Sequence, residues 1–509
     1  MPARHVEDHK WWTLTAVCVA TFMLLIDITI VNVALPDIAK ALHSSFSDLQ
    51  WVIDAYALSL AALLLTWGAT SDRVGRRYIF VVGLGIFTVA SLGCALSTSP
   101  LMLNLARAVQ GVGGAAMFAT SLALLASAFH GRERGTAVGI WGATIGAAVA
   151  IGPLAGGGLT ESIGWESIFY VNVPIGIAAI YISLTKVAES KDPNAGPNDW
   201  LGLVTFSGGL FLLIFALVRG NAEGWGSPMI VAFLIGAVVL LVAFVAVEAR
   251  IQHPMFDLTL FRKPTFGGAC IAAFALSASM FSMFLYLTLY LQNGLGLSPL
   301  QAGLRFLPLS VLSFFVAPLA GRLSARVPIR TLIGGGMALV GVALLLMRGL
   351  SASSDWTALL DGLIVAGIGV ALVNAPLAST AVSVVPPERA GMGSGINSTF
   401  RQVGIATGTA ALGALFQHIL ANNATGPLAR VPAEVLAQGR PPLPGPAAHQ
   451  AYLSLFTQGM NDILLIAAIV AFAGAVLSFA LIRGSDFVAS QGAAAPPPEA
   501  ETELTVPAR

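Results

Sequence analysis

Residues 12–35 read WTLTAVCVATFMLLIDITIVNVAL, and Asp27 is the one charged residue among them. A helix crosses about 30 Å of hydrocarbon with roughly 20 apolar residues. Thirteen later segments have the same character: 49–70, 78–97, 101–127, 136–160, 166–185, 200–219, 227–247, 266–291, 299–320, 329–347, 357–382, 391–419 and 461–482. The sequence therefore predicts an all-α integral membrane protein with fourteen transmembrane helices.

The composition excludes several classes of protein. Of the 509 residues, 10% are charged and 56% are hydrophobic, whereas a soluble domain carries roughly 25% charged residues. The 26 basic and 25 acidic residues leave no net field that would attract nucleic acid. The three cysteines lack the spacing of a metal or redox site. The sequence also lacks the phosphate-binding loop of an ATP-driven pump.

The positions of Lys and Arg predict the orientation, because cytoplasmic loops carry an excess of positive charge. With the N-terminus inside, eighteen of the 26 basic residues fall in inner segments and five in outer segments. Both termini are therefore predicted to be cytoplasmic in a multi-pass protein of the cell inner (plasma) membrane. The other three, Arg107, Arg305 and Arg401, lie within predicted spans.

A weak internal repeat divides the chain. Gly68-Ala-Thr-Ser-Asp72-Arg73 after the second span matches Gly321-Arg322-Leu-Ser-Ala-Arg326 after the tenth, an offset of 253 residues. Glu133-Arg134-Gly135 and Glu388-Arg389-Ala390, which precede the fifth and thirteenth spans, are 255 residues apart. Because transporters are often duplicated bundles, the chain is predicted to contain two six-helix bundles separated by two extra helices.

The domain boundaries follow from this plan. The N-terminal bundle is placed at 12–185, the two linker transmembrane helices at 200–247 and the C-terminal bundle at 266–482. Residues 1–11 are predicted to be a cytoplasmic N-terminus and residues 421–460 an outer loop rich in Ala, Pro and Gly. Residues 484–509 are predicted to be a disordered cytoplasmic tail.

A short inner loop after the second span carries a charged motif, formed by Gly68, Asp72, Arg73, Gly75, Arg76 and Arg77. It resembles the signature loop of the major facilitator superfamily. The arginines alone would anchor the loop on the inner side of the membrane. Anchoring requires no carboxylate, so Asp72 indicates a further role. These six residues are therefore predicted to form a conformational latch between helices.

Leu25-Ile-Asp27-Ile-Thr29-Ile-Val-Asn32-Val-Ala-Leu35-Pro36 in the first span is similar to the pattern of the fourteen-helix drug:proton antiporters of that superfamily, the QacA/EmrB type. Arg107-Ala-Val-Gln110-Gly111 resembles the arginine motif of that family. Gly152-Pro153-Leu-Ala-Gly156-Gly157 resembles its antiporter motif, with Ala148 where a glycine is expected. Residues 286–303 also resemble the family. The Gly152, Pro153, Gly156 and Gly157 cluster is predicted to be a hinge, against the alternative of ordinary small-residue packing.

Asp27, Asp54 and Arg107 are the candidates for proton coupling. A charge inside the bilayer costs at least about 2.5–3.5 kcal/mol and is a functional candidate by default. A carboxyl group there can take up a proton from one side and release it to the other, or exchange it for a cationic substrate. The resemblance implies that Arg107 assists proton transfer. The alternative is that either aspartate is a structural partner of Arg107 in a buried ion pair.

A substrate cavity is predicted from polar and aromatic residues within the spans: Asn32, Gln110, Tyr286, Tyr290, Asn397 and Arg401. Methionine and aromatic surfaces in the ninth span can adapt to bulky apolar ligands. The alternative is that these side chains face lipid or a neighbouring helix.

Together these features predict a proton-coupled secondary transporter that exports small amphipathic or drug-like compounds by alternating access. Its partners are the small-molecule substrate, protons and the lipid bilayer, without nucleic acid. It is expected to use no cofactor or metal, to draw its energy from the proton gradient and to act as a monomer. A specific metabolite exporter or importer, and a non-transporting membrane receptor or scaffold, are the alternatives. An enzyme is not expected, because the sequence lacks a catalytic constellation.

Overall fold

The computed structural model of the chain describes residues 3–44, 46–129, 131–191, 199–251, 256–324, 326–386, 389–437 and 442–487. Within these ranges the secondary structure is helical, with no strand. The N-terminal bundle contains α1 (Ala3–Ala41), α2 (Phe46–Val74), α3 (Arg76–Ala95), α4 (Pro100–Ala128), α5 (Gly131–Ser162) and α6 (Ser167–Lys186). The linker helices are α7 (Trp200–Glu223) and α8 (Pro228–Glu248).

The C-terminal bundle contains the remaining long helices. They are α9 (Pro264–Gly294), α10 (Leu307–Leu323), α11 (Ile329–Leu346), α12 (Trp356–Ser383), α13 (Ala390–Asn423) and α14 (Pro446–Leu481). Helix α9 includes two π-helical segments, Ser277–Phe281 and Tyr290–Gly294. Each bundle has its own apolar core.

Twelve helices of the described part are long and apolar enough to cross a membrane. The other two predicted spans correspond to α5, which has 32 residues, and to α10, an apolar helix of 17 residues. An all-helical, multi-pass membrane fold is therefore confirmed, while the count of fourteen crossings stays a prediction.

The helix ends follow local sequence signals. Ser99 accepts a hydrogen bond from the Met102 N–H at the start of α4, and Ser227 accepts one from the Ile230 N–H at the start of α8. In both cases proline fills the first helical position, where no hydrogen-bond donor is needed. Between α2 and α3, Gly75 has a φ of 136°, a conformation that favours glycine.

Three helices have bounds that differ from those of the predicted spans. The span at 299–320 is two helices, Pro299–Arg305 and Leu307–Leu323, because Pro308 has no N–H to continue the first helix. The last span begins at Pro446 rather than 461, so it takes up part of the predicted outer loop. Helix α1 begins at Ala3, within the predicted N-terminal segment. The prediction of a disordered tail falls on residues outside the described part from 488 onward.

Rather than being an open loop, the described part of the segment before α14 is folded against the C-terminal bundle. It contains a 3-10 helix, Gly426–Arg430, and a short α-helix, Ala433–Ala437. Leu428 and Leu436 are buried in the bundle core, and the Tyr452 hydroxyl donates to the Leu436 carbonyl at 2.8 Å.

The two bundles pack most extensively along two helix pairs. Helix α13 of the C-terminal bundle packs against α2, and α10 packs against α5. The linker helix α7 packs on α8 and contacts both α2 and α13. The linker pair therefore lies against both halves of the molecule.

Candidate functional site

Asp27 of α1 and Arg107 of α4 form an ion pair in the interior of the N-terminal bundle. Arg107 Nη1 lies 2.5 Å from Asp27 Oδ2, and both residues are 1% exposed. A charge this deeply buried requires a partner, because the cost of removing it from water is otherwise not offset. The structure thus brings together two of the three predicted coupling residues.

Amide and hydroxyl groups surround the Asp27 carboxylate. Gln110 Nε2 donates to Asp27 Oδ1 at 3.0 Å, and Asn172 Nδ2 donates to the same oxygen at 3.1 Å. Gln110 Nε2 also lies 2.8 Å from Ser91 Oγ. The four buried polar groups therefore join α1, α3, α4 and α6.

The Arg107 guanidinium is enclosed on its remaining sides. Its Nε donates to the Val52 carbonyl of α2 at 3.0 Å. The ring of Tyr56 lies 4.3 Å away and that of Phe169 lies 5.9 Å away, both suited to cation–π contact. Protonation of Asp27 would leave this cation without its counter-ion.

Asp54 lies elsewhere, near one end of α2, and is paired with the linker. Its Oδ2 is 3.9 Å from Arg219 Nη1 of α7, and Arg219 Nη2 is 2.8 Å from Glu223 Oε1. The guanidinium also lies 5.6 Å from the ring of Trp51. The structure therefore gives Asp54 a different partner from Arg107 and separates it from the Asp27 cluster.

The predicted latch residue Asp72 reaches from α2 to the start of α13. Its Oδ1 accepts from the Gly391 N–H at 2.9 Å and its Oδ2 accepts from the Met392 N–H at 2.8 Å. Arg76 contributes a salt bridge to Asp72 Oδ1 at 2.8 Å. Helix N-termini carry unpaired N–H groups and a partial positive charge, so they attract a carboxylate.

Two glycines allow this approach between bundles. A Cβ atom on Gly68 would lie 2.6 Å from the Gly391 carbonyl oxygen, which is too close for any larger residue. At the other helix pair, a Cβ on Gly135 of α5 or on Gly321 of α10 would overlap the backbone of the facing glycine. The repeat found in the sequence thus corresponds to two matching contacts between the bundles.

The other two arginines of the loop have separate surroundings. Arg77 Nη1 donates to the Val187 carbonyl at 3.1 Å, and Glu189 accepts from the backbone N–H groups of Arg77 and Tyr78 at 3.0 Å each. Arg73 is half-buried. The loop is therefore fixed to the segment after α6 as well as to α13.

The predicted hinge lies in α5. Gly152 is buried directly against Thr29 of α1, so that a Cβ there would overlap the Thr29 side chain. Gly156 is buried and Gly157 is half-buried with open space beside it. The side chain of Pro153 lies outside the described residues. Close helix approach is thus shown for Gly152, while hinge motion stays a prediction.

The predicted cavity residues do not form one surface. Tyr286 and Tyr290 are buried in the C-terminal core, where their hydroxyls donate to the carbonyls of Thr409 and Ser354. Gln110 belongs to the Asp27 cluster. In this conformation these three side chains lie away from the cavity described below, and their role in substrate binding stays a prediction. The side chain of Asn32 lies outside the described residues.

A small cavity of about 30 Å³ lies between α5 and the C-terminal bundle. Its described lining includes Gly142 and Gly146 of α5, Phe281 and Phe284 of α9, and Asn374 of α12. Arg401 of α13 is half-buried and donates to Asn374 Oδ1 at 2.8 Å. Asn397, one turn earlier, is 2% exposed, and its Nδ2 has no hydrogen-bond partner among the described residues.

The sequence reasoning missed Ser91, Asn172 and Asn374. Each is a polar residue inside an otherwise apolar helix, which is the signal that could have identified them.

Comparison with known proteins supports a transporter. The model of the Major Facilitator Superfamily matches residues 17–409. The multidrug resistance protein Stp of Mycobacterium tuberculosis is 37% identical over 404 residues, covering 79% of this chain and 75% of that protein. The tetracenomycin C resistance and export protein of Streptomyces glaucescens is 35% identical over 415 residues, covering 81% and 77%.

Two further matches extend over more of the chain. The drug efflux pump JefA of Mycobacterium tuberculosis is 31% identical and covers 91% of this chain and 93% of that protein. Among solved structures, the human organic anion transporter MFSD10 has a TM-score of 0.59 at 16% identity, covering 91% of this chain and 99% of that one; at this identity the likeness shows the fold alone. The protein is therefore a transporter and not an enzyme, and it belongs to the Major Facilitator Superfamily, among its drug efflux transporters.

Proposed function

We propose that this protein exports small amphipathic, drug-like compounds in exchange for protons, as a fourteen-helix drug:proton antiporter. It acts as a monomer in the cell inner membrane, with both termini in the cytoplasm, and needs no cofactor. The observation that carries the proposal is the buried Asp27–Arg107 pair. An intramembrane carboxylate in a family of transporters is a candidate for the proton site.

Proton binding at Asp27 would change the packing of the N-terminal bundle. The carboxylate holds Arg107, Gln110 and Asn172 through its charge. A neutral carboxyl group binds these donors less strongly, because hydrogen bonds to an ionised acceptor are about twice as strong as neutral ones. Protonation would therefore loosen α1 from α4 and α6. Since both charged residues are 1% exposed, the proton reaches Asp27 only in another conformation.

The contacts between bundles represent a state closed on one side. Asp72 binds the start of α13, and the backbones of α5 and α10 touch at Gly135 and Gly321. The excess of Lys and Arg in this part of the chain supports a cytoplasmic location for these contacts. Alternating access would open them and close the opposite side.

The membrane potential is sufficient to drive such an exchange. A proton that moves inward across 100 mV gains about 2.3 kcal/mol, before any pH gradient is counted. That gain corresponds to a concentration ratio of about 50 for a neutral substrate exchanged one for one.

Uptake into inverted membrane vesicles, whose cytoplasmic face is on the outside, tests the proposal. Native protein is compared with Asp27→Asn on a panel of lipophilic cations, neutral drugs and anions, with and without an uncoupler. We expect the uncoupler and Asp27→Asn to abolish transport of the same compounds. Asp361→Asn is the matched control, because Asp361 is exposed in the first turn after the 3-10 start of α12.

Three results would contradict the proposal. Transport by native protein that is insensitive to the uncoupler would exclude proton exchange. Proton-dependent transport that survives Asp27→Asn would place the coupling site elsewhere. Movement of a single metabolite, and of no drug, would favour the specific carrier over the drug exporter.

A further inference from the structure

Arg401, which is half-buried, differs from the fully buried arginines in its partners. Arg107 is paired with Asp27, and Arg219 is paired with Asp54 and Glu223. In contrast, Arg401 has no carboxylate within ion-pair distance in the described part of the chain, and its one hydrogen bond there goes to the neutral amide of Asn374. Among the described residues, no carboxylate therefore neutralises its positive charge.

This charge lies beside the cavity between the bundles. Asn374, which accepts the hydrogen bond from Arg401, is part of the cavity lining. The described lining contains no Asp, Glu, Lys or Arg, and Phe281 and Phe284 form part of its wall, with ring centroids 6.0 Å apart. Phe281 ends a π-helical segment of α9, a local irregularity that is frequent at functional sites.

We propose that the exported compound is an amphipathic anion, whose acidic group pairs with Arg401 while its apolar part lies against Phe281 and Phe284. Asn374 is a positioning residue that orients the guanidinium toward the cavity. A buried cation without a counter-ion favours a ligand that supplies one, and a guanidinium offers several donors in one plane to a carboxylate or phenolate. The cavity has a free volume of about 30 Å³ in this conformation, so the two bundles must separate there before a drug-sized ligand enters.

This inference rests on the proposed export function and adds the charge of the substrate. It differs from the exchange of a proton for a cationic substrate at an intramembrane carboxyl group. An anion that leaves the cell and a proton that enters it both make the interior more positive. The membrane potential, negative inside, would therefore drive both movements.

The test uses equilibrium binding, which does not depend on proton coupling. The purified full-length protein in detergent is titrated with a xanthene dye that carries a free carboxylate and with the methyl ester of the same dye. We expect native protein to bind the acid at least about tenfold more tightly than the ester, as the loss of one charged hydrogen bond would give. Arg401→Gln should remove this preference, and Arg401→Lys should retain part of it.

Asn374→Asp provides a second variant that keeps the arginine. It places a carboxylate where the Asn374 amide now accepts from Arg401, so the cation gains an internal partner and the acid should lose its advantage. Arg305→Gln is the control, because Arg305 lies over the ring of Trp356, at 5.3 Å, and donates to the Gln301 carbonyl of its own helix. That variant should leave both affinities unchanged.

Equal binding of the two dyes by native protein, or failure to bind the acid, would overturn the inference. An equal loss of affinity for acid and ester in Arg401→Gln would also overturn it, because Arg401 would then support the fold without binding the acidic group. Uptake of the acid by inverted vesicles then separates the two proposals. If an uncoupler has no effect on uptake of the acid, proton exchange is excluded and the anion site is retained. If proton-driven uptake favours the ester over the acid, the anion site is excluded and proton exchange is retained.

Discussion

Asp27 and Arg107 stabilise the N-terminal bundle only as a pair. Each is 1% exposed, and each satisfies the charge of the other. Removing one partner of a buried ion pair typically costs about 3–5 kcal/mol, because the remaining charge is left without compensation, whereas removing both is far less costly. The same contact can therefore fix the packing of α1 on α4 and respond to a proton.

We predict a strong energetic coupling between these two residues. Arg107→Gln alone should lower the unfolding temperature of the purified protein, because it leaves Asp27 buried without a counter-ion. Asp27→Asn combined with Arg107→Gln should recover much of this loss. A double-mutant cycle of thermal unfolding in detergent measures the coupling. Additive effects of the two substitutions would show that the pair contributes little to the packing.

At the scale of helices, contact between the bundles depends on glycine at matched positions. Gly68 faces Gly391 where α2 meets α13, and Gly135 faces Gly321 where α5 meets α10. Small residues let helix backbones approach closely inside a membrane, where burial of apolar surface gives no extra attraction. The positions of Asp72 and of the N-terminus of α13 depend on that approach.

Gly68→Ala should separate α2 from α13 and weaken the hydrogen bonds from Gly391 and Met392 to Asp72. Its Cβ would lie 2.6 Å from the Gly391 carbonyl oxygen, so the backbones must move apart. We expect a larger fraction of molecules open at this end, measured as faster maleimide labelling of a cysteine placed at Ser71, which is buried beside the contact. Gly85→Ala in α3 is the control, because a Cβ there meets no atom within 4 Å. Unchanged labelling in Gly68→Ala would show that the contact does not hold the bundles together.

The sequence predicts the helices well, because length and hydrophobicity are properties of the local chain. It also identifies Asp27, Arg107 and Asp72, since charges in or beside apolar helices are costly. It does not predict the direction in which each side chain points. Tyr286 and Tyr290, for example, are buried in the C-terminal core and not at the cavity. Helix α14 begins early, at Pro446, because residues packed on a bundle need not be as apolar as residues in lipid.

At the scale of the whole molecule, the linker helices are part of the assembly and not a separate attachment. Helix α7 contacts both α2 and α13, and Arg219 joins it to Asp54. Helix α8 has 21 residues, of which four are buried: Ile230, Ala237, Phe244 and Glu248. Its most apolar stretch of 18 residues has a mean hydropathy of 3.2. At about 1.5 Å per residue it is long enough to cross the hydrocarbon of a bilayer, and such an apolar and uncovered helix is suited to contact with lipid.

Cysteine labelling tests the fourteen-helix topology at these linkers. In a chain whose native Cys18, Cys94 and Cys270 are replaced by serine, single cysteines are placed at Gly226 and Arg250, which are exposed at opposite ends of α8. A membrane-impermeant maleimide should label Gly226→Cys in intact cells but should label Arg250→Cys only after permeabilisation, because α8 then crosses the membrane and its Arg250 end is cytoplasmic. Labelling of both residues from the same side would show that α8 does not cross, and the reverse pattern would place both termini outside. The predicted pattern would fix the cytoplasmic side and thereby assign the contacts of Asp72 with α13 to the end of the molecule that closes when the substrate leaves.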